Sequence, residues 1–263
     1  MIQYHNLIRD VLASGTNKAD RTGTGTISAF GKQLRFDLAK GFPLLTTKKL
    51  HFRSIVHELL WFLKGDTNIK YLTDNRVKIW NEWADENGEI GPSYGYQWRR
   101  WANGGDGEID QIAQVIETLK TNPDDRRMIV NAWNVTEIED CALPPCHYTM
   151  QFYSVNNKLS LMFNMRSTDV ALGLPYNIAS YALLLHMVAQ QVNMTPCEIV
   201  YSGGDVHIYK NHIDGLVEQL TRTPRPWPIL ELKKAKSIDD YKYEDFVIKN
   251  YNPDPHLKFD VAV

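Results

Sequence analysis

The sequence is poor in the features that mark most specialised classes of protein. Only three of its 263 residues are cysteine, Cys141, Cys146 and Cys197. An odd, sparse set is no disulfide framework and fits a reducing compartment. Neither sign of charge is in excess: Lys+Arg 29 against Asp+Glu 31 leaves a formal −2. There is no bulk basic surface for nucleic acid and no acidic tail, so any anion site has to be local. Long apolar runs are missing too. The most apolar stretch, Ile178 to Ala189, contains Ser180, Tyr181 and His186 and is too short to span a bilayer. The opening MIQYHNLIRDVLASGT has no basic region followed by an apolar one, so it does not read as a signal peptide, and the expected location is cytoplasmic. No repeat, low-complexity tract or Pro/Gly/Ser linker interrupts the chain, which reads as a single domain over residues 1–263. HExxH, CxxC and paired-histidine spacings are absent, so no metal site is indicated. Gly23-Thr-Gly25 lacks the third glycine and the preceding strand of a dinucleotide loop. Asp85-Glu-Asn-Gly88 has Tyr96 where a calcium loop needs an acid.

What is present is a foldable pattern. Hydrophobic residues make up 43% of the chain, enough at this length to bury a large core without staples. Helical spacing is read over Ile2–Ala13, Phe52–Leu63 (with Gly65 as its stop), Ile109–Leu119 and Asn177–Val192, with Asn177 near the last one's N-cap. Strands are read near Ile27–Phe36, over Met128–Val135, His147–Val155, Lys158–Arg166 and Ile199–His207, and the chain turns helical from His207 to Leu220. Asn156-Asn157 splits two of those strands as a hairpin turn. Strands and helices do not alternate strictly, so the class is α+β around a mixed or antiparallel sheet.

Cys146 lies in Leu143-Pro-Pro-Cys-His147, where two prolines fix the backbone ahead of a strand. A tight Asn156-Asn157 turn would place it opposite Ser167 and diagonal to Arg166; a three-residue turn would place it opposite Arg166. Either way a guanidinium comes within cross-strand reach, which favours the thiolate. His147 is its neighbour, but successive strand residues face opposite ways, so direct proton transfer between the two is not expected. Glu58 has Ile55, Trp61 and Phe62 as its helical neighbours, and desolvation there would raise its pKa toward neutrality, as proton transfer requires. Arg21, the pair Arg126-Arg127, and Arg166-Ser167 come from three separate segments, and arginine forks suit phosphate. The stretches Ile79-Trp-Asn-Glu-Trp83 and Gly91-Pro-Ser-Tyr-Gly-Tyr-Gln97 could line a pocket for a flat ring or simply pack in the core.

Taken together, DRTGTGT (20–26), FPLLTTKKLHFRSIVHELLWFLKGDTNI (42–69), IWNEWADENGEIGPSYGYQW (79–98), DRRMIVNAWN (125–134), ALPPCHYTMQFY (142–153), RSTDVALGLPYNIASYALL (166–184) and GGDVHIYKNH (203–212) resemble the thymidylate synthase family along essentially the whole chain. The resemblance implies a three-layer α/β/α fold around a large mixed sheet and an obligate homodimer. It implies transfer of a one-carbon unit from 5,10-methylenetetrahydrofolate to C5 of dUMP, then hydride transfer, giving dTMP and dihydrofolate without a metal. Cys146 would add to C6 of the uracil. Arg21, Arg166 and Ser167 would hold the phosphate, joined by Arg126 and Arg127 of the partner subunit. Asn177 would read the pyrimidine edge, and His207 and Tyr209 the ribose hydroxyl. Glu58, Tyr94 and His147 would order water for proton transfer. Asp169 would meet both substrates. The folate would lie against His51, Ile79, Trp80, Trp83, Leu143, Leu172, Gly173, Tyr176 and Ala262.

Two stretches depart from the family pattern. Phe163-Asn-Met-Arg-Ser167 has Met165 where relatives usually carry Gln, as in related deoxycytidylate hydroxymethylases, and the tail Asn252 to Asp260 lacks the usual His-Pro pair. Asn177 favours uracil, since an amide offers both donor and acceptor to N3–H and O4. The rival activity is dUMP hydroxymethylation, in which water traps the methylene intermediate and tetrahydrofolate leaves. A third possibility is a nucleotide- or RNA-binding protein without turnover, against which Cys146, Glu58 and Asn177 argue.

Overall fold

The computed structural model describes residues 1–105 and 107–261. In chain order the elements are α1 (Ile2–Ser14), β1 (Thr16–Lys18), β2 (Thr26–Asp37), α2 (Phe52–Leu63), α3 (Lys70–Asp74), α4 (Gly95–Arg100), β3 (Trp101–Ala102), β4 (Glu108–Ile109) and α5 (Gln111–Thr121). There follow β5 (Ile129–Asn131), β6 (His147–Val155), β7 (Lys158–Asp169), α6 (Gly173–Gln191), β8 (Thr195–Tyr209), α7 (Ile213–Thr221), β9 (Ile229–Leu232) and β10 (Phe246–Lys249).

Six strands form one mixed sheet in the order β1-β2-β8-β7-β6-β5. Its neighbours are antiparallel except β7 and β8, which run parallel. A parallel pair needs a crossover, and α6 supplies it, packing on the two strands it joins. That helix is largely apolar and mostly buried, with Leu174, Ile178, Leu183, Leu184 and Met187 at zero exposure, as a helix sunk in a core must be. On the face it covers, Phe152, Leu161, Phe163 and Tyr201 are buried. The opposite face carries Ile129, Gln151, Tyr153 and Val155, which register and alternation place side by side. Tyr153 is 62% exposed and Ile129 48%. The α+β class and the large mixed sheet are as expected. A helical layer lies on one face of the sheet, and on the other, among the described residues, Ile129, Tyr153 and Val155 stand open to solvent. No described helix is long and apolar enough to cross a membrane.

Three elements differ from the sequence reading. The strand read over Met128–Val135 shortens to Ile129–Asn131, because Asn131 and Asn134 bend the chain with side-chain hydrogen bonds to Trp133 N and Thr136 N. Helix α6 begins at Gly173, four residues before Asn177. Pro175 falls in its first turn, where a missing N–H costs nothing, so the Gly-Leu-Pro run opens the helix instead of preceding it. Strand β8 runs to fifteen residues, because both its neighbours pair with it over most of its length.

The Asn156-Asn157 turn is tight, with φ 50° and 59°, the left-handed pair that two-residue hairpins need. Pairing then follows the tight register from Val155↔Lys158 to Thr149↔Asn164, and a bulge between His147 and Thr149 shifts it so that His147 faces Met165. The bulge carries Cys146 opposite Arg166, whose N–H donates to the Cys146 carbonyl at 2.8 Å. The sequence offered Ser167 or Arg166, and Arg166 is reached by a tight turn plus a bulge.

Candidate active site

The carboxyl ends of the parallel strands β7 and β8 open beside the start of α6, the place where open sheets of this kind leave a crevice. A cleft of about 650 Å³ occupies it. Cys146, Arg166, Glu58, Tyr94, His147 and Asn177 all line this cleft. Arg166 is pinned at the edge of Cys146. Its Nε donates to the Pro145 carbonyl at 2.9 Å and its Nη2 to the Pro144 carbonyl at 2.7 Å, leaving Nη2 4.0 Å from Cys146 Sγ. The prolines supply the acceptors that fix the guanidinium. Trp133 lies beneath it, 5.4 Å from ring centroid to Cζ. Burial pushes the Cys146 thiol up, and the Arg166 charge with a hydrogen bond involving Tyr94 pulls it only part of the way back. The expected cation is therefore in place, yet the thiol of this chain alone stays above its ordinary value.

Aromatic rings form the opposite wall. The Tyr94 hydroxyl accepts the Cys146 backbone N–H at 2.9 Å. Tyr94 itself stands at φ 40°, ψ −102°, a strained conformation for a side chain of this size. It is held there by stacking on Phe62 at 5.1 Å and by the His147 ring at 4.3 Å. Gly95 permits the approach: a Cβ on it would lie 2.1 Å from the Phe62 carbonyl oxygen. His147 Nδ1 is 2.8 Å from the Tyr181 hydroxyl, and burial lowers its pKa to about 3. The ring is thus neutral and tied to Tyr181, with no hydrogen bond to Cys146 among the described residues, as strand alternation predicts. Burial raises Glu58 to about 7, partly offset by a hydrogen bond from Trp80, whose Nε1 donates to Oε1 at 2.8 Å. The sequence anticipated desolvation by helical neighbours. The group that touches the carboxylate is Trp80, brought from another segment.

The remaining expected residues divide in two. Arg21, Ser167, His207 and Tyr209 line the same cleft as Asp169. Arg21 rides on a loop organised by Asp20, whose carboxylate accepts the N–H groups of Thr22 at 2.9 Å and Gly25 at 2.6 Å. Asp169 Oδ1 accepts the N–H groups of Ala171 and Leu172 at 2.8 and 3.1 Å, which sets the turn into α6. Ile79, Trp80, Trp83 and Leu143 form an apolar side with Leu172, Gly173 and Tyr176. Outside the cleft are His51, one step away through its N–H to the Tyr176 hydroxyl at 3.4 Å, and Arg126 and Arg127. The Arg127 side chain is 88% exposed and pairs with Asp125 at 2.8 Å. The Arg126 carbonyl accepts from Gln151 at 3.2 Å, at the border of the open sheet face. Ala262 lies outside the described residues. The cleft also contains Met165, which the sequence marked only as a departure, and Lys18, Asp205, Lys78 and Glu82, which sequence reasoning missed. A signal existed for Asp205, which stands two residues before His207 on one strand and so shares its face. None existed for Lys18.

A thiol beside a fixed guanidinium, a carboxyl near neutrality, an amide, a second arginine and an apolar side share this cleft, residue types with the chemistry to bind a planar, phosphorylated ring, add sulfur to it and move protons. A scan against protein families returns the family described as Thymidylate synthase over residues 2–263. The chain belongs to that family.

Proposed function

Starting from that membership and its thymidylate synthase-type activity, we propose that the protein converts dUMP to dTMP with 5,10-methylenetetrahydrofolate and releases dihydrofolate. The observation that carries the reading is Cys146 Sγ at 4.0 Å from Arg166 Nη2, in a cleft that also holds Glu58 and Asn177. The thiol, once ionised, adds to C6 of the uracil, which makes C5 an enolate carbon able to take up a one-carbon unit. A bound phosphate dianion held by Arg21, Arg166 and Ser167 orients the ring for that step. Asn177 pairs with N3–H and O4, and His207 and Tyr209 meet the ribose hydroxyl. Glu58, with Tyr94 and His147, holds the water that passes protons at O4 and C5, and its value near 7 lets it do so in either direction. Sulfur leaves C6 when the ring regains aromaticity, so Cys146 ends as it began.

The folate supplies the one-carbon unit and the hydride. The flat apolar side made by Trp80, Trp83, Leu143 and Tyr176 fits a bicyclic ring and keeps water away, and the second oxygen of Asp169 remains for its N–H groups. We read the functional unit as a homodimer in the cytoplasm: the open sheet face is the surface to be covered, and Arg126 and Arg127 stand at its border to enter the partner's phosphate corner. Incubation with dUMP and methylenetetrahydrofolate, with both products identified, tests this. Thymidylate with dihydrofolate is expected; 5-hydroxymethyl-dUMP with tetrahydrofolate would replace the reading by a hydroxymethylase.

A further inference from the structure

Asp205 has no part in the chemistry above, yet three donors from three strands converge on it. The Lys18 ammonium, at the end of β1, pairs with Oδ2. The Ser28 hydroxyl, from β2, donates to Oδ1 at 2.6 Å. The same Oδ1 lies 3.2 Å from His207 Nδ1. The ladder makes this meeting inevitable: Ser28 pairs with His207 across β2 and β8, and Asp205 and His207 alternate on one face of β8. Burial pushes the Asp205 carboxyl up, but the hydrogen bonds from Lys18 and Ser28 outweigh it and leave the group below its ordinary value. The carboxylate is therefore ionised at neutral pH.

An ionised carboxylate only accepts hydrogen bonds. The nitrogen that faces it, Nδ1, must carry the hydrogen, and a neutral imidazole has only one to give. In the neutral ring His207 Nε2 is then a bare acceptor. The His207 ring is held in place by its own burial and by Tyr209, whose ring meets it edge-on at 5.2 Å.

We propose that Asp205 is a specificity-determining positioning residue: by fixing the tautomer of His207 it makes the sugar corner accept a hydrogen bond but never donate one, and so selects nucleotides with a free 3′-hydroxyl. This rests on the reading of His207 as the partner of the ribose hydroxyl. A 3′-deoxy sugar leaves Nε2 without a donor, and a 3′-ether or 3′-phosphate sets lone pair against lone pair.

Two measurements test it. The first uses the unaltered protein with ¹⁵N-labelled histidine and assigns the His207 signals by their loss in His207→Gln. The Nδ1–H tautomer is expected at neutral pH, and either an Nε2–H tautomer or a ring protonated on both nitrogens would overturn the proposal even if no Asp205 variant folds. The second compares the enzyme and Asp205→Asn on dUMP, its 2′,3′-dideoxy analogue and its 3′-O-methyl analogue. The unaltered enzyme should prefer dUMP to either analogue by roughly tenfold or more in kcat/KM, the worth of one hydrogen bond. In Asp205→Asn the KM for dUMP should rise roughly tenfold, more than kcat falls, while the dideoxy analogue loses little. The 3′-O-methyl analogue should gain on dUMP, because an Asn N–H facing Nδ1 moves the hydrogen to Nε2. Equal discrimination by both proteins would overturn the role of Asp205. No preference for dUMP in the unaltered enzyme would overturn the proposal together with the ribose assignment of His207, a failure distinct from the first.

Discussion

Glu58 and Cys146 are each pushed by burial toward their neutral forms, with opposite consequences. In the proposed reaction neutrality of the thiol delays attack, so the cation at 4.0 Å and a bound substrate have to restore the thiolate. For the carboxyl, a value near 7 is what proton transfer at neutral pH requires. The stability linked to Glu58 has a definite sign. Its folded value, about 7, lies above the 4.5 ordinary for a glutamate, so the folded protein binds the proton more tightly. The favourable contribution is full at low pH and is lost as pH rises from about 4.5 through about 7. In Glu58→Gln, melting temperature should therefore match the unaltered protein near pH 5 and exceed it near pH 8, while turnover falls roughly a hundredfold or more. Melts at the two pH values and a kcat–pH profile check both, and an unchanged temperature gap between them would refute the assigned value.

Short elements in this protein place side chains more than they add core. Helix α4 is only six residues long, yet it decides where Tyr94 stands, and Gly95 decides where α4 stands. Its absent Cβ would meet backbone atoms of Phe62 at 2.1 and 2.4 Å, atoms that no rotamer change can move aside. Gly95→Ala should cost about 1–3 kcal/mol by overpacking, read as a melting temperature several degrees lower. Because Tyr94 touches the Cys146 N–H, turnover at a temperature where the variant is fully folded should fall as well. A variant with native melting and native kcat would show that the α2–α4 contact does not position the site. The Asn156-Asn157 turn and the bulge after His147 act in the same way. The turn was legible from two residues that tolerate positive φ. The bulge was not, because no residue type announces it, and together with the turn it fixes which side chain faces Cys146.

At the scale of the molecule, one face of the sheet is covered by helices and the other exposes apolar side chains. Tyr153, Val155 and Ile129 are exposed together on the open face, and the arginines expected to complete a phosphate site border it instead of entering the cleft of their own chain. If two chains cover these faces, each site borrows two side chains from the other. A chain carrying Cys146→Ala and a chain carrying Arg126→Glu with Arg127→Glu should each be inactive. Unfolded and refolded together in equal amounts, they should recover up to about a quarter of native activity, since half the dimers are mixed and each mixed dimer has one intact site. Absence of recovery, with mixed dimers demonstrated by mass, would remove the two arginines from the site.

By itself the sequence determined what depends on near neighbours and on residue type. Periodicity placed α1, α2 and most strands, the asparagine pair placed the hairpin, and long ordered motifs placed the chain in its family. These signals are local because backbone preference, side-chain alternation and turn chemistry act over a few residues. Tertiary structure decided what depends on meetings between distant segments. The convergence of Arg21 and Arg166 on one cleft, Trp80 on Glu58, and Lys18 and Ser28 on Asp205 all cross the sheet or the core. The energies involved are electrostatic and steric terms between side chains far apart in sequence, and no window along the chain contains both partners.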